Sequence, residues 1–122
     1  MAKTKKTYVY PLVALRGKVI FPDSAGSFDA GRLITLTAVS RASERDMTLF
    51  VTWQRDVSKE KIVPQDLAGV GVVVKIKQIA KLSSGNLRVS VEGLWRARAE
   101  EIYEEDGCFY AEISRMKATH GD

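Results

Sequence analysis

The stretch GVGVVVKIKQIAKLSSGNLRVSVEGLWRARA, residues 69–99, decides the fold of this 122-residue chain. Its first part, from Val70 to Leu82, is long and rich in β-branched residues, which favour strands. The connection SSGN, residues 83–86, brings Gly and Asn to a position where a tight turn needs left-handed backbone. A second alternating run then begins at Leu87. The pattern predicts a long β-hairpin.

Gly93 interrupts the second strand of this hairpin and predicts a β-bulge there, before the strand continues through EGLWRARAEEIYEE, residues 92–105. The presence or absence of this bulge determines which way the side chain of Trp95 points. Without it, the indole is in phase with Val89 and Val91 and belongs to the core; with it, the ring turns outward. The residues alone leave both alternatives open.

The other segments add strands and one helix. Residues 7–15 are apolar in both phases, which predicts burial on both faces, and Pro11 indicates an unpaired edge or a bend. Further strands are expected at KVIFP, SFDAG, MTLFVTWQ and CFYAEISRM, residues 18–22, 27–31, 47–54 and 108–116. Apolar spacing from 32 to 45 predicts the one main α-helix. The sequence thus predicts a mainly β fold, a twisted antiparallel pseudobarrel of six or seven strands.

Composition fits one cytoplasmic domain. Apolar residues make up 45% of the chain and charged residues 28%. The single Cys108 cannot form an internal disulfide, and the apolar runs are too short to span a membrane. The formal net charge is +4, but three of the four excess positive charges are Lys3, Lys5 and Lys6 in the N-terminal segment. Binding of nucleic acid is therefore not expected, because it needs clustered positive charge.

The sequence shows no grouping of residues that is typical of a catalytic, metal or cofactor site. The single histidine, His120, lies near the end of the chain in a segment without periodicity, which is a poor setting for a general base. A zinc site needs several Cys and His ligands, and GVGVV does not have the spacing of a dinucleotide-binding loop. We expect no catalysis, no cofactor and no metal. Binding remains, and at least one of Phe21 and Phe28, which flank a polar loop, is expected to be exposed.

Four landmarks in order resemble the N-terminal domain of the Lon family of ATP-dependent proteases. They are Pro-Leu together with Leu-Arg-Gly in residues 11–17, Phe21-Pro22, Gly31-Arg32, and the end of the hairpin, Val91–Leu94, followed by Arg96-Ala97. The resemblance implies a PUA-like pseudobarrel over residues 8–117, with a flexible basic tail at 1–7 and a disordered end or linker start at 118–122. The ATPase loop GxxxxGK[ST] of such proteases is absent, so the chain is expected to be a non-catalytic fragment of an ATP-dependent serine protease.

The function that the resemblance implies is capture of unfolded or damaged proteins in quality control, with a contribution to subunit association. The partners would be those substrates and other copies of the chain, as a dimer or higher within a hexameric protease. The residues predicted to contact protein substrate are Ile20, Phe21, Pro22, Phe28 and Trp95. Three alternatives stay open: a stand-alone PUA-like adaptor, an RNA-binding module, and a pure oligomerisation element.

Overall fold

The computed structural model describes residues 7–56, 58 and 61–116. Its elements, in chain order, are β1 (Tyr8–Leu15), β2 (Ala25–Ala30), α1 (Leu33–Ser43), β3 (Thr48–Trp53), a 3-10 turn (Pro64–Asp66), β4 (Val70–Lys81), β5 (Leu87–Glu105) and β6 (Cys108–Arg115). The predicted mainly β fold with one main helix is confirmed. Most of the predicted basic tail, the segment 118–122 and His120 lie outside the described residues.

The six strands form one sheet that closes on itself. Their order is β2-β5-β4-β3-β1-β6, and β5 also pairs with β6, so five strands make a ring and β2 is attached to β5 beside it. Strand β5 has 19 residues. It needs this length because it pairs with β2, β4 and β6. This closed arrangement leaves few free strand edges.

One strand pair differs from the expected all-antiparallel arrangement. Strands β1 and β3 are parallel, in a register that runs from Leu12↔Phe50 to Leu15↔Trp53. The reason is the connection between them, because β2 and α1 form a crossover long enough to bring the chain back in the same direction. The pairing with β3 begins only after Pro11, so the proline lies where β1 has β6 alone as its neighbour.

The predicted hairpin is the β4–β5 pair. In its turn, Leu82 N–H donates to Asn86 O at 2.8 Å, and Gly85 has a φ of 95°. The predicted bulge is also present, because Val73 pairs with Trp95 and Val74 pairs with Gly93. Leu94 is thus the extra residue of β5. Both features were specified by local sequence, since turns and bulges depend on a few neighbouring residues.

The core is divided between the two faces of the sheet. Alternate residues of β1 belong to different clusters, Val13 and Leu15 to one and Leu12 and Ala14 to the other. This confirms the predicted burial of both faces. Helix α1 packs on the first cluster through Ala38, Val39 and Ala42. The second cluster draws on all five ring strands, and its buried strand residues are Leu12, Ala14, Phe50, Val73, Ala97, Phe109, Ala111 and Ile113.

Residues 16–24 form a loop, not the expected continuation of strand at KVIFP. Gly17 has a φ of 65°, a conformation that ends the extended backbone of β1. The apolar alternation of this segment reflects a different arrangement. Ile20 turns into the first core cluster, while Val19 and Phe21 remain exposed.

Candidate protein-binding surface

The loop of residues 16–24 is fixed to the bulge of β5. Asp23 N–H donates to Gly93 O at 2.9 Å, and Gly93 N–H donates to Ser24 O at 2.8 Å. A Cβ on Gly93 would lie 2.2 Å from the carbonyl oxygen of Phe21 and 3.2 Å from Pro22 Cα. Glycine at position 93 therefore allows the loop backbone to approach the bulge closely.

Ile20 anchors the same loop from the other side. Its side chain is buried in the first core cluster, and its Cγ1 lies 3.3 Å from where a Cβ on Gly26 would be. Asp23, with a φ of 60°, turns the backbone towards β2. Because Ile20 and Asp23 bracket Phe21, the position of its backbone is well determined.

Three apolar side chains are exposed on this loop and the adjoining bulge. Phe21 has 63% of its surface exposed, Val19 49% and Leu94 38%. Singly exposed apolar residues are common on protein surfaces, whereas several exposed apolar side chains close together can mark a partner site. We call Val19, Phe21, Pro22 and Leu94 the loop–bulge surface.

The structure separates the five residues predicted to contact substrate. Phe21 and Pro22 belong to the loop–bulge surface. Of the two phenylalanines that flank the polar loop, Phe21 is exposed, as was expected of at least one of them, whereas Phe28 is buried, and so is Ile20. The reason is the pairing of β2 with β5, where Phe28 lies opposite Val89 and its ring enters the first core cluster. Contact of any of the five with a substrate stays a prediction.

Trp95 lies on the other face of the sheet and is half-buried against the second core cluster. Its ring centroid is 5.5 Å from that of Tyr8, with the planes tilted by 57°, and the guanidinium carbon of Arg115 is 5.4 Å from the indole. Both contacts are of favourable types. The bulge thus exposes Leu94, and Trp95 returns into register opposite Val73.

The sequence reasoning missed a basic groove beside the loop. A pocket of about 600 Å³ lies between the end of β1, the outer side of β2 and the start of α1. Four cationic residues line it: Arg16, Lys18, Arg32 and Arg88. We call this pocket the basic groove. Basic residues on either side of Gly17, together with Arg32 before a helix that lacks a capping side chain, were the available signal.

Arg32 is held at the floor of the groove by neutral acceptors. Its Nη1 donates to Gln54 Oε1 at 2.7 Å and its Nη2 to Ala14 O at 2.9 Å. Arg16 Nε donates to the same Gln54 oxygen at 3.3 Å. Burial lowers the pKa of Arg32, and the positive charge of Arg16 lowers that pKa further. The groove therefore concentrates positive charge in a partly desolvated place.

Cys108 and the acidic residues are the other chemically active side chains in the part of the chain that the structure describes. Cys108 is buried, and burial raises the pKa of its thiol, which disfavours the nucleophilic thiolate. Among residues 7–56, 58 and 61–116, no three His, Cys, Asp or Glu side chains are grouped to hold a metal ion. In that part of the chain, no helix has the length and apolar character to cross a membrane.

Comparison with known proteins gives a consistent result. Residues 9–122 match the family described as the ATP-dependent protease La (LON) substrate-binding domain. The Lon protease of Clostridioides difficile (strain 630) is 38% identical over 113 residues, which cover 93% of this chain and 14% of that protein. The Lon protease of Haemophilus influenzae is 33% identical over 123 residues, covering 100% of this chain and 15% of that protein. The chain thus spans about one seventh of these relatives.

Two solved structures share the fold. The N-terminal domain of Mycobacterium avium complex Lon protease superposes with a TM-score of 0.75 at 15% identity, covering 94% of this chain and 58% of that one. The Lon N-terminal domain protein from Xanthomonas campestris gives a TM-score of 0.70 at 20% identity, covering 94% of this chain and 63% of that one.

Proposed function

This chain belongs to the substrate-binding domain family of the ATP-dependent protease La (Lon), and from that membership we propose that it captures unfolded or damaged proteins for such a protease. In this proposal it acts in cytoplasmic quality control, has no catalytic activity of its own, and contributes to association between subunits. The observation that carries the proposal is the exposure of Phe21 on a loop held at Gly93 and Ile20.

The loop–bulge surface suits substrates that share no sequence. Denatured proteins have exposed apolar side chains in common, and burial of apolar area is non-directional. Phe21, with 63% of its surface in water, has area left to bury against such a chain. Its backbone is already ordered by the hydrogen bonds of Asp23 and Ser24 to Gly93, which lowers the entropy lost on binding.

Single contacts of this kind are weak, and several copies of the domain would strengthen them. Joining binding sites in one assembly raises the effective concentration of each site for a chain already held by another. Subunit association and substrate capture therefore support each other in the proposal. Sedimentation velocity on this chain over a wide concentration range tests subunit association. A monomer at every concentration would remove subunit association by this domain from the proposal.

Capture is tested with a protein that cannot refold. The 122-residue chain is immobilised, and a reduced globular protein with its cysteines carboxyamidomethylated is the probe in biolayer interferometry. We expect Phe21→Ser to weaken binding about five- to tenfold, because the variant loses part of the burial free energy of one aromatic side chain. Val63→Ser is the matched control, since Val63 is also an exposed apolar residue but lies on another loop.

The comparison of the two variants decides the outcome. Equal loss in Phe21→Ser and Val63→Ser would show general adhesion of apolar surface. Unchanged capture by Phe21→Ser, with the circular dichroism spectrum of the wild type, would rule out the loop–bulge surface.

A further inference from the structure

Strand β2 has a free edge. It pairs with β5 on one side, in a register from Ala25↔Glu92 to Ala30↔Leu87. Within the described residues, no strand pairs with its other side, whereas each of the five ring strands is paired on both sides. A free edge presents backbone N–H and C=O groups that can pair with another extended chain.

The hydrogen bonds identify which backbone groups face outward. Gly93 N–H donates to Ser24 O, so residue 24 directs its carbonyl towards β5. Alternation along an antiparallel pair then turns Ala25, Ser27 and Asp29 outward. The side chain of Lys18 supports this assignment, because its Nζ donates to the carbonyl oxygen of Ser27. The edge is thus covered at one point by a flexible side chain that a bound strand can displace.

The basic groove runs along this edge. Ser27, Phe28 and Asp29 of β2 line it, facing Arg16 and Arg32. Asp29 is the one carboxylate of the lining, and Arg88 already pairs with it, at 2.9 Å from Nε to Oδ1. Lys18 and Arg32 donate to uncharged acceptors, so the lining carries positive charge beyond the Arg88–Asp29 pair.

We propose that the basic groove and the free edge of β2 together bind an extended acidic segment of a protein substrate by adding it to the sheet as a further strand. The proposal rests on the proposed function and names a class of substrate for it. Backbone pairing with Ala25, Ser27 and Asp29 gives affinity that is independent of sequence, and the groove favours carboxylate side chains through charge complementarity. The loop of residues 16–24 then serves both sites, with Lys18 at the groove and Phe21 at the loop–bulge surface.

The free edge favours a peptide over a nucleic acid. Its outward groups alternate between N–H donors and C=O acceptors, which is the pattern that an extended peptide complements along its length. A phosphate backbone offers acceptors only. Single-stranded DNA is therefore a rival that the same experiment tests.

The first experiment measures binding to the 122-residue chain by fluorescence anisotropy, with labelled ten-residue peptides and a labelled single-stranded DNA as probes. One peptide alternates Glu with Thr and Val; a second has Lys in place of each Glu; a third is the acidic peptide with N-methyl groups on alternate amides. We expect the acidic peptide to bind, and each of the other two to bind at least about tenfold more weakly. The second lacks charge complementarity, and the third lacks the donors of the strand pairing. Affinity for the acidic peptide should fall as salt rises.

The second experiment changes the edge itself. Ser27→Pro removes an outward N–H that makes no bond to β5, and proline is tolerated on edge strands. Ser27→Ala keeps that N–H and is the matched control. We expect the proline variant to lose affinity for the acidic peptide about tenfold, while the alanine variant stays within twofold of wild type. If the proline variant does not fold, the N-methylated peptide alone decides the matter.

Several results would overturn the proposal. These are equal binding of the N-methylated and unmodified acidic peptides, equal binding of the lysine peptide, and single-stranded DNA binding more tightly than the acidic peptide. Pairing of the β2 edges of two copies would overturn it too. The wild-type chain would then bind no peptide and would form a dimer, and Ser27→Pro would abolish that dimer. The proposed function fails separately: it fails when the wild-type chain does not bind the carboxyamidomethylated protein, whatever the acidic peptide does.

Discussion

Two phenylalanines seven residues apart have opposite environments. Phe21 has 63% of its surface exposed, and Phe28 has 3%. Both lie on segments that are hydrogen-bonded to β5, the loop of residues 16–24 through Gly93 and β2 through its ladder. The difference is that the ladder turns alternate side chains into the core, whereas the loop is attached by its backbone and leaves Phe21 in water. Attachment to a sheet therefore fixes the position of a segment without deciding the burial of its side chains.

The largest expected effect is on stability when the buried ring is removed. Phe28→Ala should lower the free energy of unfolding by about 3–5 kcal/mol, through lost burial and the cavity left in the first core cluster. Urea denaturation followed by circular dichroism measures it. A loss below about 1 kcal/mol would contradict the buried position of the ring.

A methyl group at the contact between bulge and loop should have the next largest effect. Gly93→Ala places a Cβ 2.2 Å from the carbonyl oxygen of Phe21, and because that atom is backbone, the loop must move. We expect a loss of about 1–3 kcal/mol in unfolding free energy, together with weaker capture of the denatured protein.

Gly69→Ala is the control for that variant, since a Cβ on Gly69 meets nothing within 4 Å. It should leave both stability and capture near the wild-type values. Equal effects of the two substitutions would show that loss of glycine, and not the contact with Phe21, is responsible.

Removing the exposed ring should change stability little. Phe21→Ala is expected to shift the unfolding free energy by no more than about 0.5 kcal/mol, as for other surface positions. Measured by the same urea titration as Phe28→Ala, it gives the contrast between the two rings directly. A destabilisation comparable with that of Phe28→Ala would show that Phe21 is a structural residue.

The smallest expected effect is electrostatic and depends on pH. The side chain of Asp29 accepts a hydrogen bond from Arg88, which holds the pKa of Asp29 below the ordinary value of 3.8. A lowered folded-state pKa contributes stability above the unfolded pKa, and that contribution is lost as the pH falls through the folded pKa. Asp29→Asn should therefore lower the melting temperature slightly at pH 7 and not at pH 2, and high salt should reduce the difference because the pair is exposed.

Local sequence was sufficient for the elements with a strong pattern. Alternation and β-branching predicted β4 and β5, Gly93 predicted the bulge, and apolar spacing predicted α1 within a few residues of its ends. These features depend on neighbours in the chain. The two-sided burial of β1 was predicted for the same reason, because both of its phases are apolar.

Long-range pairing explains what could not be predicted. Phe28 is buried because β2 pairs with β5, which places it opposite Val89, some sixty residues later in the chain. The local sequence SFDAG does not indicate which strand it pairs with. The parallel pairing of β1 with β3 depends on the path of the crossover between them. The basic groove joins residues from β1, β2, α1 and the hairpin, so its charges were visible in sequence but their convergence was not.

The length of β5 has a mechanical consequence. Its hydrogen bonds to β2, β4 and β6 lie across the strand direction, so a pull along β5 loads many of them at once as shear. A pull perpendicular to the strand would instead break these hydrogen bonds one after another. A chain held at the β2 edge and drawn parallel to β5 would therefore load many of these hydrogen bonds together.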